Sequence, residues 1–463
     1  MATRFAVPFV CLLVAFQAFS LIVIDACVAQ DATAASSDGM RNELAAASDA
    51  SMRDQIGDAD ESKPIKDDEA LIEQVLGDMP PEIASQARAA RTTFQATKTK
   101  LAKAMAELRR IQVRFFNRVD RTPAAKETYR QQRNEIGVLL RQHFDEALEL
   151  YRMLPSSEAA SFLLTMVQHQ FDRDEYSATT YEAATRLIDS GQNFTYLFLA
   201  AARSAAVVGR FENVRKIYDV VDDEQLKDTD RRILAGLDVL EAAYKREQQL
   251  IDATDSEKLP QVRFTTTQGN FVVELFSDSA PSAVSHFLKL VGDGFYDGMD
   301  FSQVLDGLLA LTGDSSGDGR GNVGRFLIDE HENENARTAQ RGSILMAKMP
   351  IGPGEFIPNS ASSQIAIAFL PLAGAGETQT ILGRVIEGMH VVSSLRRVDP
   401  TKKAEKKVQL PPDVVISIEV VRTGPELPEP EYVDLAAEIE KARKAGILPG
   451  MGGLQNNVSS EDE

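Results

Sequence analysis

The sequence contains no tryptophan and only two cysteines, Cys11 and Cys27, which both lie within its first 29 residues. A chain that lost this segment would carry no thiol, so it could form no disulfide and offer no thiolate nucleophile or zinc ligand. Basic residues are also scarce, since 50 Lys and Arg stand against 69 Asp and Glu and give a formal charge of -19. Nucleic acids and anionic membranes attract clustered Lys and Arg, so this balance argues against either as the main partner.

The N-terminus holds a long apolar run. Arg4 supplies a positive start, residues 5–24 are almost free of polar side chains, and residues 27–29 offer a small-residue cleavage site. The pattern predicts a signal peptide over residues 1–29 and hence an extracytoplasmic chain, either periplasmic or secreted. Two alternatives stay open, because about 20 apolar residues also suffice for an uncleaved membrane anchor, and Cys27 is a candidate for lipid attachment.

The chain is long enough for more than one domain. Its 463 residues exceed the roughly 250–300 that a single hydrophobic core supports, so at least two folded units are expected. Residues 30–82 are rich in Asp, Glu, Ala and Ser and poor in aromatic and β-branched residues. This composition predicts an acidic disordered linker with one short helix over residues 70–76.

Residues 83–251 have the pattern of an all-α domain. Apolar residues recur at helical spacing, as at Leu101 and Leu108, and breaks in the pattern divide the region into about six helices. Tyr176 and Phe211 each open a helix after a polar break, and their offset of 35 residues is close to the tetratricopeptide period of about 34. This favours a tetratricopeptide-like array, with an irregular helical bundle as the alternative. Stacked hairpins would offer a concave surface to a protein partner.

From residue 260 the period changes to that of β-strands. Apolar and polar residues alternate on either side of Gln268 and Gly269, which is typical of a β-hairpin. A mainly-β domain is therefore predicted over residues 260–422. Residues 423–463 form a C-terminal tail that begins with a proline- and acid-rich stretch and holds one candidate helix over residues 432–444.

The centre of the β domain carries its most distinctive residues. Residues 294–304 read Gly-Phe-Tyr-Asp-Gly-Met-Asp-Phe-Ser-Gln-Val, and Gly313 and Asp314 follow. This stretch resembles cyclophilin-type peptidyl-prolyl cis-trans isomerases, which usually read Gly-Phe-Tyr-Asp-Gly, then Phe-His-Arg-Val, then Gly-Gly-Asp. Other segments resemble the same family and occur in its order; they are residues 264–275, 280–288, 317–324, 329–330, 341–347, 363–364 and 382–389.

The resemblance implies a mainly-β closed antiparallel barrel with two helices, placed after the all-α helical-hairpin region. Short strands separated by glycines are, independently, what such a barrel needs. The glycines of residues 317–324 permit the positive φ of tight turns. No Gly-Lys-Ser/Thr follows them, so they do not indicate a nucleotide site.

The resemblance also assigns a site, although many of its residues are changed. Gln303 stands at the position of the family's catalytic arginine, and Ser302 stands at the histidine before it. Gln303 is therefore the candidate catalytic residue, and it offers a neutral donor where arginine offers a charged, rigid fork. The candidate substrate-binding residues are Leu308, Leu309, Leu311, Ala347, Lys348, Gln364, Ala366 and Gln379. Only Ala347 and Gln364 keep the family's residue.

These changes leave three interpretations open: ordinary strand residues without a site role, a proline-binding groove without fast catalysis, or weak isomerase activity. The resemblance implies an isomerase of proline-containing polypeptides, and the predicted signal peptide would make it an exported foldase. The alternative is a non-catalytic protein-binding module made of a degenerate barrel and helical repeats. No cofactor or metal is expected, because the five histidines lack metal-ligand spacing. A membrane contact is expected only if the N-terminal segment is uncleaved.

Overall fold

The structure is a computed structural model that describes residues 68–317, 319–352, 354–401 and 411–446. These residues form two compact units, one of residues 68–169 and one that begins at residue 170. The predicted signal peptide and most of the predicted acidic linker lie outside the described residues. None of the helices in the described ranges combines the length and apolar character needed to span a bilayer.

The first unit is built from helices. They are α1 (Glu69–Gly77), α2 (Pro81–Phe116), α3 (Pro123–Met153) and α4 (Ser157–Asp172), the last of which continues into the second unit. Proline begins both α2 and α3, a position where its missing N–H would be unpaired in any case. The Thr122 hydroxyl accepts a hydrogen bond from Ala125 N at 3.2 Å and so caps α3. Leu101, Leu108 and Ile136 pack between α2 and α3, as the helical spacing indicated.

The second unit opens with further helices. They are α5 (Ala178–Asp189), α6 (Thr195–Val207), α7 (Phe211–Tyr218), α8 (Asp228–Ala235) and α9 (Leu237–Ala253). Eight helices, α2 to α9, thus stand where the sequence indicated about six, while α1 lies where the short linker helix was expected. Tyr176 lies two residues before α5 and Phe211 begins α7, and both are buried. The tetratricopeptide-like repeat stays a prediction.

The rest of the second unit is mainly β. Its strands are β1 (Gln261–Thr266), β2 (Gly269–Leu275), β3 (Gln303–Leu305), β4 (Leu309–Thr312), β5 (Phe326–Leu327), β6 (Ser343–Met346), β7 (Pro350–Gly352), β8 (Glu355–Phe356), β9 (Ile365–Ala368), β10 (Ile381–Glu387), β11 (Val415–Arg422) and β12 (Tyr432–Val433). The helices are α10 (Pro281–Gly292), α11 (Met389–Ser393) and α12 (Leu435–Lys444). The predicted hairpin around Gln268 is confirmed, with Thr266 opposite Gly269 in the antiparallel β1–β2 pair.

Eight of the strands form one curled sheet. Their order is β11-β1-β2-β10-β6-β9-β4-β3, and all neighbours are antiparallel. The prediction of a closed barrel is wrong, because β3 and β11 are the two ends of a half-barrel. The physical reason is that β3 has only three residues and makes no continuous ladder to β11. Isolated bridges pair Val304 with Val398 and Asp300 with Val414 instead.

Apolar side chains cover both faces of the sheet. On one face, α10 and α11 cover the main core, in which the rings of Phe264 and Phe271 stack at 4.6 Å between centroids. Because successive side chains in a strand point to opposite faces, the neighbours of these core residues face the other way. A second cluster there includes Leu311, Leu345 and Ala366. Four of the predicted substrate-binding residues belong to this second cluster, namely Leu309, Leu311, Ala347 and Ala366.

Candidate functional site

A row of residues crosses the sheet on this second face. Gln303 of β3 pairs with Leu311 of β4, and Leu311 pairs with Ala366 of β9. Ala366 pairs in turn with Leu345 of β6. Directly opposed residues point to the same face, with Cβ atoms about 4.5–5.5 Å apart. The candidate donor therefore stands at the end of an apolar row that contains two of the predicted pocket residues.

Four of the predicted pocket residues belong to one apolar cluster. Leu311 and Ala366 are 9% and 5% exposed, and Leu309 and Ala347 pack against them half-buried. Other side chains of the chain complete the cluster, namely Leu259, Phe276, Ala339, Leu345, Ala368 and Ile381. Since these side chains already cover Leu311 and Ala366, the apolar surface open to a ligand is narrow. It consists mainly of the half-buried Leu309 and Ala347.

Gln303 lies half-buried beside the glycine-rich loop. A Cβ atom built on Gly319 would be 3.8 Å from Gln303 Nε2, so the loop backbone borders the amide. The hydroxyl of Ser302 is buried and has no hydrogen-bond partner in the part of the chain that the structure describes. The position of the family's arginine thus holds a neutral donor next to backbone.

Gln364, the predicted backbone-binding residue, holds the glycine-rich loop. Its Nε2 donates to Gly321 O at 2.9 Å and to Gly319 O at 3.2 Å. The carboxylate of Asp314 accepts from the N–H groups of Gly321, at 2.7 Å, and Gly319 on the other side. Burial raises the pKa of Asp314, but the hydrogen bonds from Gly319 and Ser316 outweigh burial and hold it below its usual value. The Gln364 side chain is therefore engaged within the fold.

Lys348 and Gln379 lie together at the other side of the site. The Lys348 ammonium is buried and donates to Asp329 Oδ2 at 2.6 Å and to Thr378 O at 3.0 Å. Gln379 follows Thr378 and is buried, and its Oε1 has no hydrogen-bond partner among the described residues. Lys348 therefore serves as an internal cross-link, while Gln379 keeps an unused acceptor.

Leu308 lies in the β3–β4 turn. Two residues from the helical part of the second unit bind this turn at Gly307. The N–H of Gly307 donates to Asp174 Oδ2 at 2.7 Å, and Arg232 Nη2 donates to the Gly307 carbonyl at 3.0 Å. Arg397 also donates to Asp174 Oδ2, at 2.9 Å. Sequence reasoning missed this support. In the sequence Asp174 is only part of a polar break, whereas in the structure it adopts a φ of 56°, which is uncommon for a residue other than glycine.

The structure thus brings Gln303, Leu309, Leu311, Ala347 and Ala366 onto one face and places Gln364 behind the adjoining loop. It gives Lys348 a structural partner. Within the residues that the structure describes, no group of three or more His, Cys, Asp or Glu side chains is placed to hold a metal ion.

The sequence has relatives among known proteins. Residues 261–420 match the family described as cyclophilin type peptidyl-prolyl cis-trans isomerase/CLD. The peptidyl-prolyl cis-trans isomerase cyp15 of Rhizopus delemar is 30% identical over 198 residues, which are 41% of this chain and 30% of that protein. The peptidyl-prolyl cis-trans isomerase of Helicobacter pylori is 34% identical over 137 residues, which are 29% of this chain and 78% of that protein. A crystal structure of a Cryptosporidium parvum cyclophilin type peptidyl-prolyl cis-trans isomerase is 26% identical, with a TM-score of 0.30, over 36% of this chain and 99% of that one.

These relatives differ in how much of them the chain covers. It spans less than a third of the Rhizopus protein, so the activity and partners of the whole protein are matters for proposal. It covers 78% of the Helicobacter protein, at 34% identity. On this likeness, the chain belongs to the cyclophilin-type peptidyl-prolyl cis-trans isomerase family.

Proposed function

We propose that the half-barrel is a slow peptidyl-prolyl cis-trans isomerase that acts as a foldase on proline-containing polypeptides. The observation that carries the proposal is the row from Gln303 to Ala366, which sets an amide donor beside an apolar floor. Membership of the cyclophilin-type family supports the same reaction.

The expected chemistry is modest. Rotation about an X-Pro bond takes tens to hundreds of seconds unaided, because amide resonance must be broken. A donor aimed at the prolyl amide favours the twisted bond, and we assign that role to Gln303, which pairs with Leu311 at the end of the apolar row. Hydrogen bonds from charged donors are roughly twice as strong as neutral ones, so Gln303 stabilises the twisted bond less than arginine would. Since loss of one preorganised donor costs about 10²–10³ in rate in other enzymes, a slow isomerase is expected.

The test is the cis/trans exchange rate of a short Ala-Pro peptide, measured by NMR with the full chain added. The chain is expected to accelerate exchange, and Gln303→Ala is expected to abolish most of the acceleration. Gln303→Arg is expected to raise the rate about tenfold or more, because it restores a charged donor. The matched control is Gln249→Ala on the exposed side of α9, which should leave the rate unchanged. A folded wild-type chain that fails to accelerate exchange would refute the isomerase.

A second candidate is a non-catalytic module that binds proline-containing segments. It is favoured by the internal use of two predicted ligand contacts, since Gln364 holds the glycine-rich loop and Lys348 pairs with Asp329. Such a module would shift the NMR signals of Leu308 and Leu309 when an Ala-Pro peptide is added, without changing the exchange rate. The absence of both shifts and acceleration would exclude this candidate as well.

Export of the protein is the last part of the proposal. It is supported by the sequence of residues 1–29, with its positive start, apolar run and small-residue end. Mass spectrometry of the protein from its native cells is expected to find a mature N-terminus close to Gln30. Recovery of peptides from residues 5–24 in the mature protein would favour the uncleaved anchor.

A further inference from the structure

The turn between α2 and α3 exposes apolar side chains. Residues 107–133, which include this turn, are here termed the hairpin tip. Val113, Phe116 and Val119 are 51%, 49% and 68% exposed there, and they lie within seven residues of one another. Single exposed apolar residues are ordinary, but a group of them on one surface marks a candidate interaction site.

A cavity of about 270 Å³ opens in the hairpin tip. Ile111, Phe115 and Tyr129 contribute apolar lining. Side chains of both charges also line the cavity, and the cationic ones include Arg114 and Lys126. Small-molecule sites are usually about 300–1,000 Å³ and mostly apolar. The volume at the tip is below that range, so it suits one inserted side chain better than a cofactor.

The hairpin tip is basic in an acidic chain. Between residues 107 and 133 there are eight Lys and Arg against three Asp and Glu, whereas the whole chain has a formal charge of -19. Several of these cations are presented to solvent; for example, the Arg110 and Arg114 side chains are 76% and 63% exposed. A local field of opposite sign to the molecule attracts acidic partners and steers their approach.

We propose that the hairpin tip binds an acidic segment of a partner polypeptide that inserts one aromatic or aliphatic side chain into the cavity. Arginine and aromatic residues are the types enriched at protein interfaces, and both occur here around an apolar hollow. A polypeptide fits better than an anionic bilayer, because the site is concave and its lining includes the carboxylates Glu107 and Asp120. The hairpin tip belongs to the first unit and Gln303 to the second, and the proposal does not depend on isomerase activity.

The test is a fluorescence-polarisation titration of the full chain with a labelled eight-residue probe that alternates Glu with Phe and Leu. The same peptide with Lys in place of Glu, and with Ser in place of Phe and Leu, serve as comparison probes. The acidic apolar probe is expected to bind best, and its affinity is expected to fall as salt is raised from 50 to about 500 mM, which shortens the Debye length.

Two variants identify the surface. Phe116→Ser is expected to weaken binding of the acidic probe about tenfold, as loss of an aromatic anchor does, and Arg114→Glu should weaken it and flatten the salt dependence. The matched controls are Val138→Ser, at an α3 residue that is 55% exposed, and Arg88→Glu, near the start of α2. Both controls should change affinity by less than about twofold.

Three results would overturn the proposal. One is equal binding of the acidic and basic probes, and another is equal loss of affinity in the tip and control variants. The third is a failure of the acidic probe to bind, together with a different interaction that Phe116→Ser abolishes. Loss of self-association in sedimentation would show that the tip binds a second copy, and loss of binding to phosphatidylserine vesicles would show that it binds a membrane.

Discussion

At the scale of single residues, Gly313 sets the geometry between the candidate site and the glycine-rich loop. Its φ is 88°, and a Cβ atom at this position would be 2.3 Å from the carbonyl oxygen of Ser363. That oxygen also accepts a hydrogen bond from the buried Tyr296 hydroxyl at 2.9 Å, so it cannot move away easily. Both the backbone conformation and the packing therefore require glycine.

Gly313→Ala is expected to reduce the free energy of unfolding of the second unit by about 2–4 kcal/mol, since it adds a backbone clash to an unfavourable φ. The matched control is Gly317→Ala, where φ is 72° but nothing lies within 4 Å of an added Cβ atom. That control carries only the conformational cost of about 1 kcal/mol. Urea unfolding measures the free energy of unfolding of both variants. Equal losses would show that the Ser363 carbonyl moves to make room for the added Cβ atom.

The residues of the site show what sequence can and cannot predict. The resemblance to a known family assigned Gln303, Leu311 and Ala366 to one site, and in the structure they pair in turn across β3, β4 and β9. The partners of Lys348 and Gln364 could not be predicted, because Asp329 and Gly321 reach them only through the folded loops. A side chain's availability to a ligand depends on such distant neighbours.

At the scale of elements, the α4–α5 connection is bound to the half-barrel through Asp174. Its carboxylate accepts from Gly307 N and from Arg397 Nη2, and its backbone carbonyl accepts from Arg341 Nη1 and Ser393 Oγ. Asp and Asn adopt positive φ more readily than most residues, which suits Asp174 to this turn. The connection therefore holds the β3–β4 turn, which contains Leu308, against the helices.

Asp174→Asn keeps the turn conformation but removes the buried charge opposite Arg397 and Arg203. Breaking a buried charge pair typically costs about 3–5 kcal/mol when one charge stays buried without compensation. Arg203 keeps Asp230 and Arg397 keeps Asp306, so the cost of Asp174→Asn is expected at the lower end of that range. Arg397 offers its own control, since Asp306 binds it through an exposed carboxylate, and loss of an exposed pair costs about 1 kcal/mol or less. Urea unfolding should therefore separate Asp174→Asn from Asp306→Asn by more than about 2 kcal/mol. Similar losses would show that the buried pair adds little.

The elements were predicted unevenly. Periodicity and turn residues located the β1–β2 hairpin, because a hairpin is a local feature. Closure of the sheet was mispredicted, since it depends on whether β3 can form a ladder with β11 across the molecule. The helices were more numerous than expected because some of their boundaries, such as that between α8 and α9 at Gly236, carry a weak break signal.

At the scale of the whole molecule, stability is expected to depend on two buried histidines. Burial lowers the pKa of His143, stacked at 4.4 Å on Phe94, to about 4, and it lowers the pKa of His286, which lies 3.0 Å from the Tyr432 hydroxyl, to about 4. The usual value is 6.5, so the unfolded chain takes up these protons first. Stability associated with the neutral rings is therefore complete above about pH 6.5 and is lost as the pH falls toward 4.

Thermal unfolding midpoints are expected to fall between pH 7 and pH 4.5, and His143→Gln and His286→Gln should each reduce that fall. The difference between wild type and variant in how the unfolding midpoint changes with pH gives the contribution of the histidine. Carboxylates such as Glu330, whose pKa is raised by burial, contribute equally to both proteins. NMR titration of the histidine ring protons supplies a direct check. Midpoints near 6.5 for both rings would contradict the burial on which this prediction depends.

The bond between Asp174 and Arg397 joins residues that are 223 positions apart. During synthesis the helices of the second unit leave the ribosome first, and at 5–20 residues per second Arg397 follows roughly 10–45 s later. The Asp174 carboxylate lacks its hydrogen bond from Gly307 until that residue emerges, and it lacks the one from Arg397 for the whole interval. The α4–α5 connection therefore cannot complete its packing until nearly the entire half-barrel has been synthesised. We expect a chaperone that binds the nascent chain to act at this stage, when the partners of Asp174 are still missing.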